Sequence, residues 1–96
     1  MPKKLTGSLK KDALDKLKHQ ADKKKKKRSV YLWGLVKDAR DGKANKKAID
    51  VGGKHAVTLT ISNRRFDSLS DYMKDNKLRR RDIIEDAVGR AWSDLK

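Results

Sequence analysis

Two groups of side chains in the sequence have types and spacings that suit binding chemistry. Thr58 and Thr60 lie two positions apart, so they share one face of a strand, where their hydroxyls can donate and accept hydrogen bonds. Arg79, Arg80 and Arg81 form an uninterrupted cationic run directly before an apolar repeat. Guanidinium groups make charge-assisted hydrogen bonds to carboxylates and phosphates. Because no nucleophile–base pair, metal cluster or phosphate-binding glycine loop is visible, an enzyme is not expected.

The two threonines belong to an alternating stretch at residues 55–62. Val57, Leu59 and Ile61 fall on one face and the polar and small residues fall on the other, which predicts a half-buried strand. Nothing else in the sequence reads as a strand, so this one is expected to have no partner within its own chain. Unpaired strand edges promote association between chains. We therefore expect the strand to pair with its own copy in a second chain.

The composition predicts a small oligomeric protein with a polyanionic partner. With 96 residues, 35% hydrophobic and 42% charged, the chain is too polar to build a large core alone. Its formal charge of +14 favours nucleic acid, ahead of an acidic membrane surface or an acidic protein. The absence of cysteine and the two lone histidines predict no disulfide and no metal site, and no cofactor is expected. No apolar run reaches the roughly 18 residues of a membrane span and no signal peptide opens the chain, so a cytoplasmic, prokaryotic location is expected.

The charges divide the chain into two regions. Residues 1–54 contain 18 lysines and arginines against 6 aspartates, whereas residues 55–96 contain 9 basic against 7 acidic residues. The first region is interpreted as a flexible basic arm that ends in a hinge at Gly52-Gly53, and the second region as the folded domain.

Apolar residues inside the basic arm leave two structural alternatives open. Every fourth position from Leu5 to Ala21 is apolar, which predicts either a fluctuating helix or a helix that folds on a partner. The apolar cluster at residues 30–36 either docks against the folded part of the same dimer or forms a dedicated protein-binding patch.

Two helices are predicted after the strand. The first is capped by Ser62 or Asn63 and ends at a break at Asn76-Lys77, where asparagine tolerates a left-handed backbone. The second covers about residues 80–95 and carries an amphipathic apolar stripe. We expect the same helix of a partner chain to cover that stripe.

The order of strand, helix, turn and helix resembles the ribbon-helix-helix (Arc/MetJ) superfamily of DNA-binding dimers. The resemblance is carried by residues 57–62, by Phe66 with Leu69, and by residues 78–87. It implies a mainly α fold with one strand, in which an intertwined homodimer forms a two-stranded antiparallel intermolecular ribbon, preceded here by the flexible basic arm. In this family the ribbon enters the major groove of double-stranded DNA.

The resemblance assigns base contacts to Ala56, Thr58 and Thr60. A threonine hydroxyl can bond a base edge, and its methyl can touch the thymine methyl. Ala56 departs from the family, where a long polar or basic side chain is common at this position. Lys54 or His55 is the expected substitute.

The resemblance also places a DNA phosphate at the start of the second helix, beside Arg79, Arg80 and Arg81. Three arginines oppose the helix dipole there, and a bound phosphate reverses that cost. The alternative is a solvated charge cluster that Asp82 compensates. Further phosphate contacts are expected from Lys54, Ser62, Arg64 and Arg65.

The long basic arm favours a plasmid partition protein within this family. Such a protein binds repeated centromere sites as a dimer, with adjacent dimers along the DNA, stimulates a Walker-type ATPase and can repress its own operon. Arg28 and Arg40 are the arm's candidates for ATPase activation. The alternatives are a plain transcriptional repressor, then an antitoxin or a relaxosome accessory factor, then a histone-like non-specific binder. Deletion of residues 1–54 is expected to lower affinity and to spare site choice.

Overall fold

The computed structural model describes residues 2–92 as a mainly helical domain with a two-stranded antiparallel sheet. This agrees with the coarse fold that the sequence predicts. In chain order the elements are β1 (Lys3–Leu9), α1 (Lys11–Lys23), α2 (Arg28–Arg40), β2 (His55–Ile61), α3 (Asn63–Ser68), α4 (Ser70–Asp75) and α5 (Ile83–Arg90).

The ribbon is formed within one chain, so the prediction that β2 lacks a partner in its own chain is wrong. Thr6 lies opposite Thr58 at the centre of the antiparallel register. The alternation of β1 was concealed because Leu5 and Leu9, four residues apart, fit a helical period as well as a strand period. Gly7 adds no apolar side chain between them. The edge of β2 that was expected to recruit a second chain is hydrogen bonded to β1.

The described residues form two halves with the same order of elements, which sequence reading did not detect. Lys25 and Lys77 are the non-glycine residues with positive φ in the described chain, at 54° and 55°, and they lie 52 positions apart. The same offset relates β1 to β2, α1 to the α3–α4 pair, and α2 to α5. Buried residues at equivalent positions are Leu17 and Leu69, Leu32 and Ile84, Val36 and Val88, and Ala39 and Ala91. Two strand-helix-helix units are therefore related by a pseudo-twofold axis through the Thr6 and Thr58 pair.

The two halves are intertwined around a single core. Helix α2 packs against α5, and each also packs against the strand of the other half, α2 against β2 and α5 against β1. Leu5, Leu17, Leu32 and Val36 from the first half are at most 1% exposed. The described residues 2–54 are thus not a flexible arm, because their sparse apolar side chains are aligned on buried faces and most of their lysines are exposed.

Helix α1 and the apolar cluster have fixed places in this core. Helix α1 begins at Lys11, after β1, and buries Ala13 and Leu17 against the rest of the protein. The cluster at residues 30–36 lies in α2 and docks on the folded core, as one of its two alternatives predicted.

The segment Gly52-Gly53 is a close backbone contact and not a hinge. The amide of Lys10 donates to the carbonyl of Val51 at 2.8 Å, and the amide of Gly53 donates to the carbonyl of Ser8 at 3.2 Å. A Cβ atom on Gly53 would lie 2.6 Å from the backbone nitrogen of Lys10. Glycine at this position lets the connection run directly alongside the end of β1.

Where the sequence predicts one helix directly after β2, the structure has two, α3 and α4, which are divided at Leu69. The Ser62 hydroxyl accepts a hydrogen bond from the Arg65 amide at 3.2 Å and so caps α3. At the later break, Lys77 and not Asn76 adopts the left-handed backbone. The predicted second helix begins at Ile83 instead of about residue 80, and its residues 93–95 lie outside the described residues.

Arg90 ties the long connection between the halves to α5. Its Nε atom is 3.0 Å from Asp86 Oδ1, and its Nη1 atom donates to the carbonyls of Asn45 and Lys46 at 3.1 and 2.9 Å. Asp86 also accepts a hydrogen bond from the Tyr72 hydroxyl. Burial, followed by this hydrogen bond, raises the pKa of Tyr72 well above its usual range.

Candidate nucleic-acid interface

The outer face of the ribbon carries side chains from both strands. Alternation along each strand buries its apolar residues against the helices and turns the intervening residues outward. The residues on this face are Lys4, Thr6 and Ser8 of β1 and Ala56, Thr58 and Thr60 of β2. The three β2 residues are those assigned from the sequence. The three β1 residues were missed, although they alternate with Leu5, Gly7 and Leu9.

Most of the side chains on this face are polar. Its central cross-strand pair brings together the two threonines Thr6 and Thr58. Lys4 lies opposite Thr60 at one end, and Ser8 lies opposite Ala56 at the other. Five of these six side chains are small and can approach another surface closely. A two-stranded ribbon of this kind fits the width of the DNA major groove.

The starts of α2 and α5 flank the two edges of the ribbon. On the β2 side, Arg28 and Ser29 line a groove of about 350 Å³ with Ala56 and Thr58. No side chain caps the N-terminus of α2, whose first amides have no acceptor within the helix.

A second groove, of about 390 Å³, lies on the β1 side. Thr6 and Ser8 line it from the ribbon, and Arg81, Asp82 and Glu85 line it from the α5 end. The two grooves therefore place cations beside both strands. The Arg28 groove was not assigned to this surface from the sequence, because it requires the pairing of β1 with β2.

The three arginines of the predicted phosphate site have different surroundings. The Arg79 amide donates to Asp82 Oδ2 at 3.0 Å, and its Nε atom is 3.9 Å from the same oxygen. Arg80 places its guanidinium 4.8 Å from the centre of the Phe66 ring. Only Arg81 lines the groove beside β1. Arg79 thus follows the alternative in which Asp82 compensates the charge.

The other predicted phosphate contacts are distributed along β2 and do not form one cluster. Lys54 is exposed just before the strand, and Ser62 is exposed just after it. Arg64 is exposed on α3, while Arg65 holds its guanidinium 5.0 Å from the Trp33 ring. They surround the ribbon instead of sharing one anion.

Arg28 and Arg40, the candidates for ATPase activation, lie at opposite ends of α2. Arg40 donates from Nε to Asp41 Oδ1 at 3.0 Å and from Nη1 to the Ser68 hydroxyl at 2.6 Å. The hydrogen bond from Arg40 holds the pKa of the Asp41 carboxyl below its usual value. Arg28 is exposed at the first turn of α2. Both belong to a packed helix, which differs from the mobile segment that the sequence predicted.

Positive charge is concentrated on the first half. In the lysine run at residues 23–27, Lys23 ends α1, and Lys24 to Lys27 form the exposed turn between α1 and α2. The run leads directly into Arg28, so it adds positive potential next to the β2 groove.

Within residues 2–92, no group of histidine, cysteine, aspartate or glutamate side chains has an arrangement that could hold a metal ion. The helices in that part of the chain are too short and too polar to cross a membrane. Comparisons with protein-family models, curated proteins and solved structures found no match for this chain.

Proposed function

We propose that the protein is a sequence-selective double-stranded DNA-binding protein in which one chain supplies a complete ribbon-helix-helix unit. The observation that carries this proposal is the register of the ribbon, which centres Thr6 on Thr58 and turns a row of small polar side chains outward. The intertwined helices behind the ribbon support the same assignment. In this proposal one chain contains the two strand-helix-helix units that the superfamily assembles from two copies of a chain.

Base recognition in this proposal comes from the outer face of the ribbon. The hydroxyls of Thr6, Thr58 and Thr60 can donate to or accept from base edges, and the threonine methyls can contact thymine. Lys4 can donate to guanine O6 and N7. Lys4 therefore supplies the long basic side chain that is missing at Ala56, a role for which the sequence predicted Lys54 or His55.

Affinity comes mainly from phosphates on either side of the ribbon. In this proposal the uncapped amides and Arg28 at the start of α2 contact phosphates of one DNA strand, and Arg81 near the start of α5 contacts those of the other. The charge of +14 adds a sequence-independent attraction that weakens with salt.

The biological task stays a prediction. Partition with a Walker-type ATPase was inferred from a mobile basic arm, and the folding of residues 3–40 removes the observation that favoured it. In this proposal Arg28 binds a DNA phosphate and does not activate an ATPase. Repression of an operon requires only site-selective binding, and neighbouring molecules can still bind side by side along repeated sites.

Removal of both central hydroxyls provides the test. We expect the Thr6→Ala and Thr58→Ala double variant to lose roughly tenfold of its preference for a selected site over scrambled DNA, because each hydrogen bond from a hydroxyl contributes about 1 kcal/mol. Fluorescence anisotropy at physiological salt measures the two affinities. Ser70→Ala removes an exposed hydroxyl from α4 and serves as the control. Equal binding of both DNAs by the unsubstituted protein, with a steep salt dependence, would instead indicate the histone-like alternative.

A further inference from the structure

The two ends of the ribbon are chemically different. The pseudo-twofold axis through Thr6 and Thr58 exchanges Lys4 with Ala56 and Ser8 with Thr60, because each pair is 52 positions apart. The central residues are identical in type and the outer ones are not. A homodimer cannot have this difference, since its two strands carry the same sequence.

We propose that the ribbon recognises a non-palindromic DNA site whose two halves are read by unlike chemistry. This inference rests on the proposed function and adds the kind of site that the protein recognises. The Lys4 and Thr60 end supplies an ammonium group and a hydroxyl, which favour the acceptors O6 and N7 of guanine. The Ser8 and Ala56 end supplies a short hydroxyl and a methyl group, which favour a thymine methyl.

The two grooves beside the ribbon also differ from each other, in the charged side chains that line them. The groove on the β2 side carries Arg28 and Ser29 without a lining acid, whereas the groove on the β1 side includes Asp82 and Glu85 with Arg81. Glu85 also accepts a hydrogen bond from the Ser8 amide at 3.3 Å. A phosphate is therefore attracted more strongly to the β2 side. Because both DNA strands carry the same phosphates, the orientation of the protein on DNA depends on the base contacts at the two unlike ends of the ribbon.

Substitutions that make the ends alike provide the matched variants. Ala56→Lys places lysine at both equivalent positions, and Lys4→Ala places alanine at both. Each change affects an exposed side chain, so the core is preserved. The exchange variant, with Lys4→Ala and Ala56→Lys together, keeps the net charge and is the control for sequence-independent attraction.

The experiment begins with selection of sites by the full chain from a random pool of duplexes. Affinities are then measured for the selected site and for two palindromes, each built from one half of it. The unsubstituted protein is expected to bind the selected site roughly tenfold tighter than either palindrome. Ala56→Lys should shift the preference to the guanine-containing palindrome and Lys4→Ala to the other, while the exchange variant should still prefer unlike halves.

Three results separate the claims. A selected site with unlike halves, together with the two opposite shifts, supports the inference. Selection of a palindrome by the unsubstituted protein, or unchanged preferences in both single variants, overturns it and leaves sequence-selective binding intact. Failure to enrich any sequence overturns the proposed function itself.

Discussion

A chain that lacks residues 1–54 is expected not to fold as a monomer. The deletion removes β1, the hydrogen-bonding partner of β2, and it removes α2, which packs against α5. Leu59, Ile83, Ile84 and Val88, all at most 1% exposed in the full chain, would lose much of their cover. A remainder of about 40 residues is at the lower limit for independent folding. Far-UV circular dichroism during heating should show no cooperative transition for the monomeric fragment.

Mixing the fragment with a peptide of residues 1–54 provides the control. Because the halves are intertwined, the mixture is expected to recover a cooperative transition that neither piece shows alone. Self-association of the fragment through β2 would make its transition depend on concentration, which also agrees with an exposed strand edge. A folded monomer of residues 55–96 would contradict the structure, because β2 and α5 would then be stable without β1 and α2.

Gly89→Ala is expected to destabilise the protein by about 1–3 kcal/mol, although alanine is the better helix former. A Cβ atom at this position in α5 would lie 2.3 Å from the carbonyl oxygen of Ile49 and 3.1 Å from Cβ of Ala48. The connection between the halves would have to move, and the hydrogen bond from the Ile49 amide to the Gly89 carbonyl would be weakened. Urea unfolding followed by circular dichroism measures the change in the free energy of unfolding.

Gly34 in α2 is a matched control for this substitution. A Cβ atom there meets no atom within 4 Å, so Gly34→Ala should stabilise the protein by about 0.5–1 kcal/mol through helix propensity alone. A lower free energy of unfolding for Gly89→Ala together with a higher one for Gly34→Ala would support the position of the connection against α5. Equal stabilisation by both would show that the connection does not approach Gly89.

The second half of the fold was largely predictable from the sequence. Strict alternation from Val57 to Ile61 has only one periodic interpretation, and the apolar stripe of α5 has the helical period. The outward position of Thr58 and Thr60 followed from the same alternation. Boundaries were less predictable, because residues 80–82 form a turn, with the Asp82 amide donating to the Arg79 carbonyl at 2.9 Å, and α5 begins only at Ile83.

The first half was not predictable from composition. The count of eighteen basic residues against six aspartates does not say which face of a helix or strand each residue occupies. Folding depends on which side chains share a face. Lys4 and Thr6 became candidate base contacts only through pairing with residues more than 50 positions away. Neither charge nor local spacing carries that information.

The most direct test of the account is an NMR measurement on the full chain bound to a duplex of its selected site. Intermolecular nuclear Overhauser effects from the methyl groups of both Thr6 and Thr58 to major-groove base protons are the predicted result, with one chain per ribbon. Contacts from only one of these threonines in each of two chains, or contacts confined to minor-groove protons, would contradict a ribbon that a single chain builds for the major groove.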